Sequence, residues 1–312
     1  MRSHALLLST LAISPSAKPP AGAWDTHVHV LNPCQFPYSP NRTYTPEPAP
    51  LSSLIANSYT DNIVIVRASV DSGPAGALYA LKTARAEYPG RSFRATLDLT
   101  DVQDASAADF DALHAAGVRA LRLYGPGDVG SNVTWVQGLL RAAAELDGVR
   151  RLGWAVSAML PLATFAALED SLLHDPALAH LRLIAEHNGS ATPSDRASGD
   201  FQALLNLLSA GRLWVKLGAL HRQSPGDVHL MKEVVTAMTQ AAPAAMLWGS
   251  DWPHVNSTNK GLVPGPPLVV DTAAELEAIH NWVGEKVWQA MFVGNPEVFF
   301  GDLGKATLVQ NP

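Results

Sequence analysis

Two histidines one residue apart stand in the stretch 24–30 (WDTHVHV), close to the start of the chain. Side chains alternate between the two faces of a β-strand, so His27 and His29 share one face of the strand that this stretch predicts. Two imidazoles on one face can bind a metal ion, hold an anion or polarise a carbonyl group. The pair is a short motif, and its assignment to a functional site needs a second observation.

That second observation is a polar cluster near the other end of the chain, in the stretch 248–254 (WGSDWPH). Asp251 follows an apolar run and is enclosed by glycine, tryptophan and proline residues, with His254 close behind it. A carboxylate that a rigid turn holds beyond a buried strand is a candidate general base. The two stretches together predict a site with converging imidazoles and one positioned acid.

Composition limits the class of protein. A chain of 312 residues with 47% hydrophobic and 16% charged residues can bury a sizeable core in one domain. The net charge of −6 argues against a nucleic-acid partner, and no apolar run approaches the roughly 18 residues that cross a bilayer. Cys34 is the single cysteine, so intrachain disulfides are excluded. We expect a small-molecule substrate, no membrane partner, and a chain able to form a homo-oligomer.

The first 20 residues are expected to be a flexible leader or a weak signal-like segment. Arg2 precedes an apolar run over residues 5–13 and small residues over 14–17, which faintly resembles a secretory signal. The run is short and interrupted, so the leader is the favoured interpretation. We expect one domain over 21–303 and a C-terminal tail over 304–312. A cytoplasmic location is favoured, and the signal-like pattern leaves secretion open.

Eight strand patterns alternate with helical patterns along the chain. The predicted strands cover residues 24–30, 62–66, 93–99, 120–123, 153–158, 181–185, 213–216 and 245–248. The predicted helices cover residues 51–59, 75–88, 107–116, 134–146, 162–174, 201–209, 228–241 and 273–291. Such alternation is typical of parallel β/α units, and eight units predict a single (β/α)8 TIM-type barrel with its active site at the C-terminal ends of the strands.

Polar residues stand at the predicted strand ends. They are His27 and His29, Arg122 and Tyr124, Ser157, Glu186 and His187, Lys216 and Arg222, and Asp251 and His254. A single histidine in a barrel is more often a structural residue than a catalyst. The conjunction of histidines after strands one and six with an aspartate after strand eight is what predicts a catalytic site.

The motifs DTHVH (25–29), HNG (187–189) and GSDWPH (249–254) resemble the amidohydrolase superfamily, in its amidohydrolase-2 branch. The resemblance covers about residues 23–300. Within the branch the chain is most similar to the 2-pyrone-4,6-dicarboxylate lactonases. That similarity is carried by FPYSP (36–40), YTP (44–46), GVRALR (117–122), LWGSDWPH (247–254) and NP (295–296).

The resemblance implies a hydrolase that opens a lactone or a related cyclic ester. It implies that Asp251 activates water and that His27, His29 and His187 surround the substrate carbonyl oxygen. It further implies that Tyr44, Arg122 and Arg222 hold substrate carboxylates. The other predicted substrate-binding residues, also expected at the barrel mouth, are Tyr124, Ser157, Ser190 and His254. Elementary chemistry agrees, because a base must reach the water and guanidinium groups bind carboxylates through paired hydrogen bonds.

A metal cofactor is not expected. Many relatives of this fold bind zinc through the two histidines of strand one, a histidine on strand five and the strand-eight aspartate, and strand five here has no histidine. The lactonases are metal-independent, and the resemblance implies the same for this chain. The alternative is one Zn²⁺ held by His27, His29 and Asp251, since a catalytic zinc takes three protein ligands and a water.

Three departures from the lactonase pattern bear on the substrate. Ser190 and Ser157 stand where the lactonases carry an arginine and a tyrosine, and residues 124–131 contain no lysine or arginine. Asp128 would repel a second carboxylate if it faced the pocket. We expect a substrate that is less acidic than the pyrone dicarboxylate and carries more apolar bulk.

Two other functions stay open. One is a metal-dependent decarboxylase or another lyase of the same branch, although those enzymes commonly carry an acid in place of the first histidine of the strand-one pair. The other is a non-enzymatic binding protein on the same barrel. Retention of His27, His29, His187 and Asp251 together disfavours the binding protein.

Overall fold

A computed structural model describes residues 17–301, and these residues contain one sheet of eight parallel strands that follow one another in chain order. The strands are β1 (Trp24–Val28), β2 (Asn62–Val66), β3 (Phe93–Asp98), β4 (Val118–Tyr124), β5 (Ala155–Met159), β6 (Leu183–Ala185), β7 (Trp214–Leu217) and β8 (Met246–Trp248). All eight predicted strands are present, with ends that shift by up to two residues. The predicted leader and tail fall almost entirely outside the described residues.

The sheet closes at a seam between β1 and the segment that follows β8. Val28 forms a parallel bridge with Trp252. The backbone N–H of Asp251 donates to the carbonyl of His27 at 2.9 Å, and the N–H of His29 donates to the carbonyl of Trp252 at 2.8 Å. The hydrogen bonds that close the barrel therefore use the residues that carry the sequence motifs, and the predicted (β/α)8 barrel is confirmed.

The barrel interior has an apolar lower end. Buried side chains from six strands pack there against Phe299 and Phe300 near the C-terminal end of the described chain: Trp24, Val64, Ala120, Ala155, Ile184 and Leu247. Outward-facing strand residues pack on the helices in a second, larger cluster. Strands buried on both faces read as nearly continuous apolar runs, which is why their positions could be predicted. Arg94 of β3 also lies at this end, with its guanidinium 5.9 Å from the ring centroid of Trp24, and the polar residues predicted at the strand ends lie at the opposite, C-terminal end.

The helices surround the sheet. They are α1 (Leu51–Asn57), α2 (Ala75–Glu87), α3 (Ala107–Ala116), α4 (Val133–Glu145), α5 (Asp147–Arg150), α6 (Leu162–Ala167), α7 (Glu169–His174), α8 (Gly199–Ser209), α9 (Lys232–Ala241), α10 (Thr272–Gln289) and α11 (Asn295–Phe300). Ser106 and Asp109 form a capping box at the start of α3, which satisfies two backbone N–H groups reciprocally. No described helix has the length and apolar character needed to cross a membrane.

Three predicted helices differ from the observed ones. The segment predicted as one helix over 162–174 is two, because the chain turns at Leu168 and restarts with the acidic first turn of α7. The segment 228–241 begins as a 3₁₀ turn over Val228–Met231 before α9. The last helix is interrupted at Gly284. Its φ is 75°, a value that glycine adopts easily and that a continuous α-helix does not contain. The helical spacing of apolar residues continues across all three breaks, so these breaks could not be predicted from the sequence.

The loop over residues 31–50 connects β1 to α1 and is fixed at both sides. Its ends pair through a bridge between Leu31 and Ala49, and its middle pairs with the segment after β8 through Tyr44 and Lys260. These contacts hold Tyr44 over the C-terminal end of the barrel.

Candidate active site

The turns that carry Asp251 and His187 have unusual backbones. Their φ values are 62° and 47°, in the left-handed region that costs an L-residue about 1–2 kcal/mol. The turn after β6 is held by Asn188, whose side-chain amide donates to the carbonyl of Gly218 at 2.9 Å. Backbone strain of this kind persists where surrounding structure enforces it, and it is common at functional sites.

The four residues predicted to be catalytic lie together at the C-terminal end of the barrel. Oδ1 of Asp251 is 3.7 Å from Nε2 of His27 and 3.4 Å from Nε2 of His29. The rings of His27 and His187 are 4.7 Å apart between centroids. All four side chains are buried. A single carboxylate oxygen is thus enclosed by imidazoles from β1, from the residue that follows it and from the turn after β6.

The hydrogen bonds of His29 fix its proton. Nδ1 of His29 lies 2.8 Å from the carbonyl oxygen of Val66. A carbonyl oxygen only accepts, so Nδ1 carries a proton, and in that tautomer of an imidazole the lone pair is on Nε2. Because Nε2 faces Asp251, it needs a proton of its own, a bound water or a metal ion between the two groups.

Beneath the imidazoles lies a buried charged network, which we call the floor cluster: Arg122, Ser157, Glu186 and Lys216. Arg122 donates from Nε and Nη2 to Oε2 of Glu186 at 3.0 and 2.8 Å. Ser157 donates to Oε1 of Glu186 at 2.9 Å, and Nζ of Lys216 is 3.7 Å from the same oxygen. Nζ of Lys216 is also 3.3 Å from Nδ1 of His27. The cluster therefore reaches from the carboxylate of Glu186 to the first catalytic histidine.

Arg222 contacts Asp251 on the side away from the histidines. Its Nε and Nη2 atoms are 2.7 and 2.6 Å from Oδ2 of Asp251, and Nη1 donates to the carbonyl of Val255 at 2.8 Å. Glu275 of α10 anchors the Arg222 segment by accepting the backbone N–H of Leu220 at 3.0 Å. We call Arg222 and Asp251 the rim pair. Oδ2 of Asp251 is saturated by Arg222, which leaves Oδ1 to face the imidazoles.

Burial and neighbouring charges shift the pKa values. For Asp251 burial acts upward, but Arg222 and the imidazoles outweigh it and hold the pKa well below its usual range. Burial lowers the pKa of His187 to about 4 and that of His27 well below its usual range. Burial also lowers the pKa of Lys216 to about 8. At pH 7 the site thus combines a carboxylate and two neutral imidazoles above a largely protonated lysine.

The buried carboxylate of Asp25 behaves differently from that of Asp251. Its Oδ1 atom accepts the backbone N–H groups of His27 and Ser250 at 3.1 and 3.0 Å, across the seam that closes the barrel. Burial is the dominant influence and raises its pKa to about 7. A carboxylate next to a guanidinium group and one held by backbone amides therefore shift in opposite directions.

The two serines predicted to bind substrate donate their hydroxyl groups to other protein atoms. Ser157 donates to Glu186 within the floor cluster. Ser190 donates to the carbonyl of Leu160 at 2.7 Å. Arg122 is likewise engaged, since Glu186 accepts from two of its nitrogens. These three residues lie at the predicted end of the barrel, but their donors point into the protein.

The predicted tyrosines lie near one another at the mouth. Tyr44 pairs its hydroxyl with Ser69 Oγ at 3.0 Å, and burial raises its pKa. Tyr124 stacks on the Arg122 guanidinium, 4.6 Å from its ring centroid. Charges on Arg122, Tyr124 and Asp251 all influence the pKa of Tyr44, which places the groups in one electrostatic environment.

His254 does not join the imidazoles around Asp251. Its Nε2 atom is 3.4 Å from the hydroxyl of Thr272, and its ring packs edge-on against His221 at 5.2 Å. Burial lowers the pKa of His254 to about 4. Its position is behind the rim pair rather than among the residues that enclose Oδ1.

A metal ion would find a different ligand set from the predicted one. The described residues contain one group of histidine, cysteine or acidic side chains whose donor atoms lie within 4.8 Å of one another: His27, His187 and Asp251. The predicted alternative used His29 in place of His187. Two imidazole nitrogens and a carboxylate oxygen are donor types that zinc accepts.

Sequence reasoning placed Glu186 and Lys216 at strand ends and gave neither a role. The period of two puts Glu186 on the same face as Ile184, and Lys216 on the same face as Trp214, so both side chains face the barrel axis. Buried lysine and glutamate are rare unless paired. A lysine and a glutamate that face the barrel axis, beside Arg122 on the same side, could therefore have indicated a buried charged network.

Two cavities border the site. One, of about 290 Å³, is lined by Arg122, Tyr124 and apolar side chains on and just after α4, such as Leu139 and Leu146. The other, of about 400 Å³, lies between the loop over residues 31–50 and the segment after β8. Neither lining contains the four predicted catalytic residues.

The sequence profile described as amidohydrolase matches residues 24–301, from the first strand to the end of the described chain. A match of this extent shows the family. The chain belongs to the amidohydrolase family, as its motifs predicted, and it is a hydrolase of that type.

Its relatives include lactone hydrolases. It is 26% identical over 295 residues to a 4-sulfomuconolactone hydrolase of Hydrogenophaga intermedia, covering 92% of this chain and 91% of the relative. It is 28% identical over 258 residues to the enzyme of the same name from Rhizobium radiobacter, covering 75% and 77%. It is 26% identical over 280 residues to a 2-pyrone-4,6-dicarboxylate hydrolase of Comamonas testosteroni, covering 82% and 84%.

Solved structures share the fold. A protein of Agrobacterium tumefaciens in its apo form superimposes with a TM-score of 0.72 at 20% identity, covering 92% of this chain and 98% of that one. An amidohydrolase of Burkholderia multivorans with bound zinc superimposes with a TM-score of 0.64 at 15% identity, covering 90% and 99%. At these identities the likeness establishes the barrel and leaves the chemistry to the site itself.

Proposed function

We propose that this enzyme hydrolyses a lactone or a related cyclic ester and that Asp251 is the base that activates water. The observation that carries the proposal is the asymmetry of Asp251: Arg222 saturates Oδ2, while Oδ1 faces His27 and His29 at 3.7 and 3.4 Å. An oriented carboxylate oxygen beside imidazole groups supplies both a proton acceptor and donors for a developing oxyanion. The lactone-hydrolase relatives support the reaction class.

In the proposed reaction a water at Oδ1 gives a proton to Asp251 while its oxygen adds to the lactone carbonyl carbon. The carbonyl electrons move to the oxygen, which His27, His29 and His187 surround, and the N–H groups that His27 and His187 present there stabilise its charge. The tetrahedral intermediate collapses, the ring C–O bond breaks, and the proton on Asp251 passes to the leaving oxygen. The product is an open-chain hydroxy acid, and Asp251 is again a carboxylate.

Arg222 links the charge of the substrate to the strength of the base. In the resting site it holds the pKa of Asp251 low and so weakens the carboxylate as a proton acceptor. A substrate carboxylate that binds Arg222 would draw the guanidinium away and raise that pKa. Binding of an acidic lactone would thereby prepare the base for the reaction.

The substrate is proposed to carry fewer carboxylates than a pyrone dicarboxylate. Glu186 occupies Arg122, and the hydroxyls of Ser157 and Ser190 are used within the protein. Arg222 is also engaged, but it is 20% exposed at the mouth and would turn from Asp251 to bind one carboxylate beside Tyr44. The cavity of about 290 Å³ beside Tyr124 offers space for an apolar substituent.

The donor atoms of this site would also suit a zinc ion. His27, His187 and Asp251 would hold the ion, and the buried Nε2 of His27 has no hydrogen-bond partner among the described residues, as a ligand atom would not. Bound zinc would lower the pKa of a water and polarise a carbonyl group. Metal independence is part of our proposal and needs a direct test.

The same donors favour a second candidate function, a metal-dependent decarboxylase or another lyase of this branch. That function would need the ion for activity and would release carbon dioxide or an unsaturated product rather than consume water. Replacing Asp251 abolishes turnover under either function, so product analysis and metal dependence must decide between them.

The test measures ring opening of carboxylated lactones by purified protein before and after treatment with a chelator, together with the metal content by mass spectrometry. Hydrolysis that resists chelation in metal-free protein is the expected result. About one zinc per chain, with activity lost on chelation, would make His27, His187 and Asp251 ligands and reopen the lyase function.

A further inference from the structure

The least expected group beside the catalytic histidines is the ammonium group of Lys216. Its side chain is 2% exposed, and Nζ lies 3.3 Å from Nδ1 of His27 and 3.7 Å from Oε1 of Glu186. An ammonium group has three hydrogens and no lone pair, so it can only donate. Nδ1 of His27 must then accept.

Glu186 does not compete for a proton on that ring. Its Oε2 atom accepts two hydrogen bonds from Arg122, and its Oε1 atom accepts one from Ser157 at 2.9 Å. The distance from Oε1 to Nδ1 of His27 is 3.5 Å, longer than the contact that Lys216 makes with the same nitrogen. The carboxylate balances the charges of its neighbours and leaves His27 to Lys216.

We propose that Lys216 is a positioning residue that fixes the tautomer of His27, so that the proton is on Nε2 and points at the reaction centre. The proposal rests on the proposed function for its catalytic meaning. Nε2 of His27 is buried, has no partner among the described residues, and is 3.7 Å from Oδ1 of Asp251. An N–H at that place is a preorganised donor for the carbonyl oxygen of a bound lactone.

The two histidines of the motif would then hold opposite tautomers. His29 carries its proton on Nδ1, where Val66 accepts it, while His27 carries its proton on Nε2. Alternation along β1 places both rings on one face but leaves their protons undetermined. Val66 of β2 determines the position of the proton on His29, and Lys216 of β7 determines that on His27.

A consequence concerns zinc. His27 can coordinate a metal through Nε2 only if its proton moves to Nδ1, where it would face the ammonium group of Lys216. Lys216 therefore disfavours the metal-bound form of a site whose donors otherwise fit zinc. Without that lysine, Nδ1 could donate to Glu186, which is the arrangement that orients a histidine ligand in many metal sites.

The first experiment uses the unmodified protein. Imidazole ¹⁵N NMR at pH 7, with the His27 signals assigned by their loss in His27→Gln, reports which ring nitrogen carries the proton. We expect a protonated Nε2 and an unprotonated Nδ1. The opposite pattern, or zinc on Nε2 of His27 in the protein as purified, overturns the proposal whether or not lactones are hydrolysed.

The second experiment replaces Lys216 by methionine, which has a similar length and no donor. Lys216→Met should shift the His27 proton to Nδ1 and tighten zinc binding, measured by calorimetry, at least about tenfold. Lys82→Met, at an exposed position of α2, is the matched control and should bind zinc as the unmodified protein does. Equal zinc affinity in folded Lys216→Met overturns the proposal, and if that variant fails to fold, the spectrum of the unmodified protein decides.

Discussion

The floor and the rim of the barrel each hold an arginine–carboxylate pair, and the two pairs differ in what remains free. Arg122 and Glu186 are 4% and 0% exposed, and both oxygens of Glu186 have donors within the floor cluster. Arg222 and Asp251 are 20% and 6% exposed, and Oδ1 of Asp251 faces only imidazoles. The saturated pair holds its surroundings in place, and the half-saturated pair presents a reactive oxygen.

Asp25 supplies a third case within the same barrel end. It is buried like the other two carboxylates, but its donors are backbone N–H groups and the side chain of Ser250 rather than a guanidinium group, and its pKa rises to about 7. Guanidinium groups hold the pKa of Glu186 and Asp251 well below the usual range in spite of burial. Burial alone therefore favours the neutral acid, and a neighbouring cation decides which carboxylates are charged at pH 7.

The largest expected effect is on catalysis at the rim. Asp251→Asn removes the proton acceptor and should lower kcat for lactone opening by about 10³-fold, within the range for loss of a general base. The thermal transition should stay close to that of the unmodified enzyme. Asp200→Asn, at an exposed position of α8, is the control and should keep full activity. Lactone turnover that survives in Asp251→Asn would remove this residue from the chemistry.

The next effect is on stability at the floor. Arg122→Met leaves Glu186 as a buried carboxylate without its guanidinium partner and should cost about 3–5 kcal/mol of unfolding free energy. Arg222→Met, at the partly exposed rim, should cost clearly less. Denaturant titration of both variants checks the difference. Equal losses of unfolding free energy would mean that the two pairs contribute equally to stability.

A smaller effect concerns substrate binding and its pH dependence. Arg222→Met should raise KM for a carboxylated lactone roughly 10- to 100-fold, the loss of a charged hydrogen-bonded pair, and change KM less for an uncharged one. Because the arginine holds the pKa of Asp251 down, its removal should also move the acid limb of the activity profile to higher pH. An unmoved acid limb would contradict the coupling between these two residues.

The smallest effect concerns the pH dependence of stability at the seam. The folded-state pKa of Asp25 lies above its unfolded value, so the folded protein binds the extra proton. This contribution is present below about pH 4 and is lost as pH rises toward 7. Asp25→Asn should flatten the slope of unfolding free energy over that window. The slope is measured by denaturant titration at several pH values, and an unchanged slope would assign it to other groups.

Much of the barrel could be predicted from the sequence because parallel strands buried on both faces are continuous apolar runs. The helix breaks at Leu168 and Gly284 could not, since apolar spacing continues through them. His27, His29, His187 and Asp251 could be placed at one end of the barrel from motif and strand order alone.

The bonding of the arginines could not be predicted. The sequence predicts that Arg122 and Arg222 both lie at the C-terminal end of the barrel. The partner of each arginine depends on side-chain packing across the barrel. Glu186 takes Arg122, and Asp251 takes Arg222. The tautomers of the two histidines depend likewise on groups from other strands, Val66 on β2 and Lys216 on β7.

The most direct test of the account compares kcat/KM of the unmodified enzyme for a monocarboxylated muconolactone and for 2-pyrone-4,6-dicarboxylate, with products identified by mass spectrometry. The account predicts saturable ring opening with addition of one water, and a preference of at least about tenfold for the monocarboxylated lactone, since Arg222 and Tyr44 offer binding for one carboxylate. A preference for the dicarboxylate would contradict the account of the substrate. Release of carbon dioxide, or no turnover of any lactone, would contradict the proposed function itself.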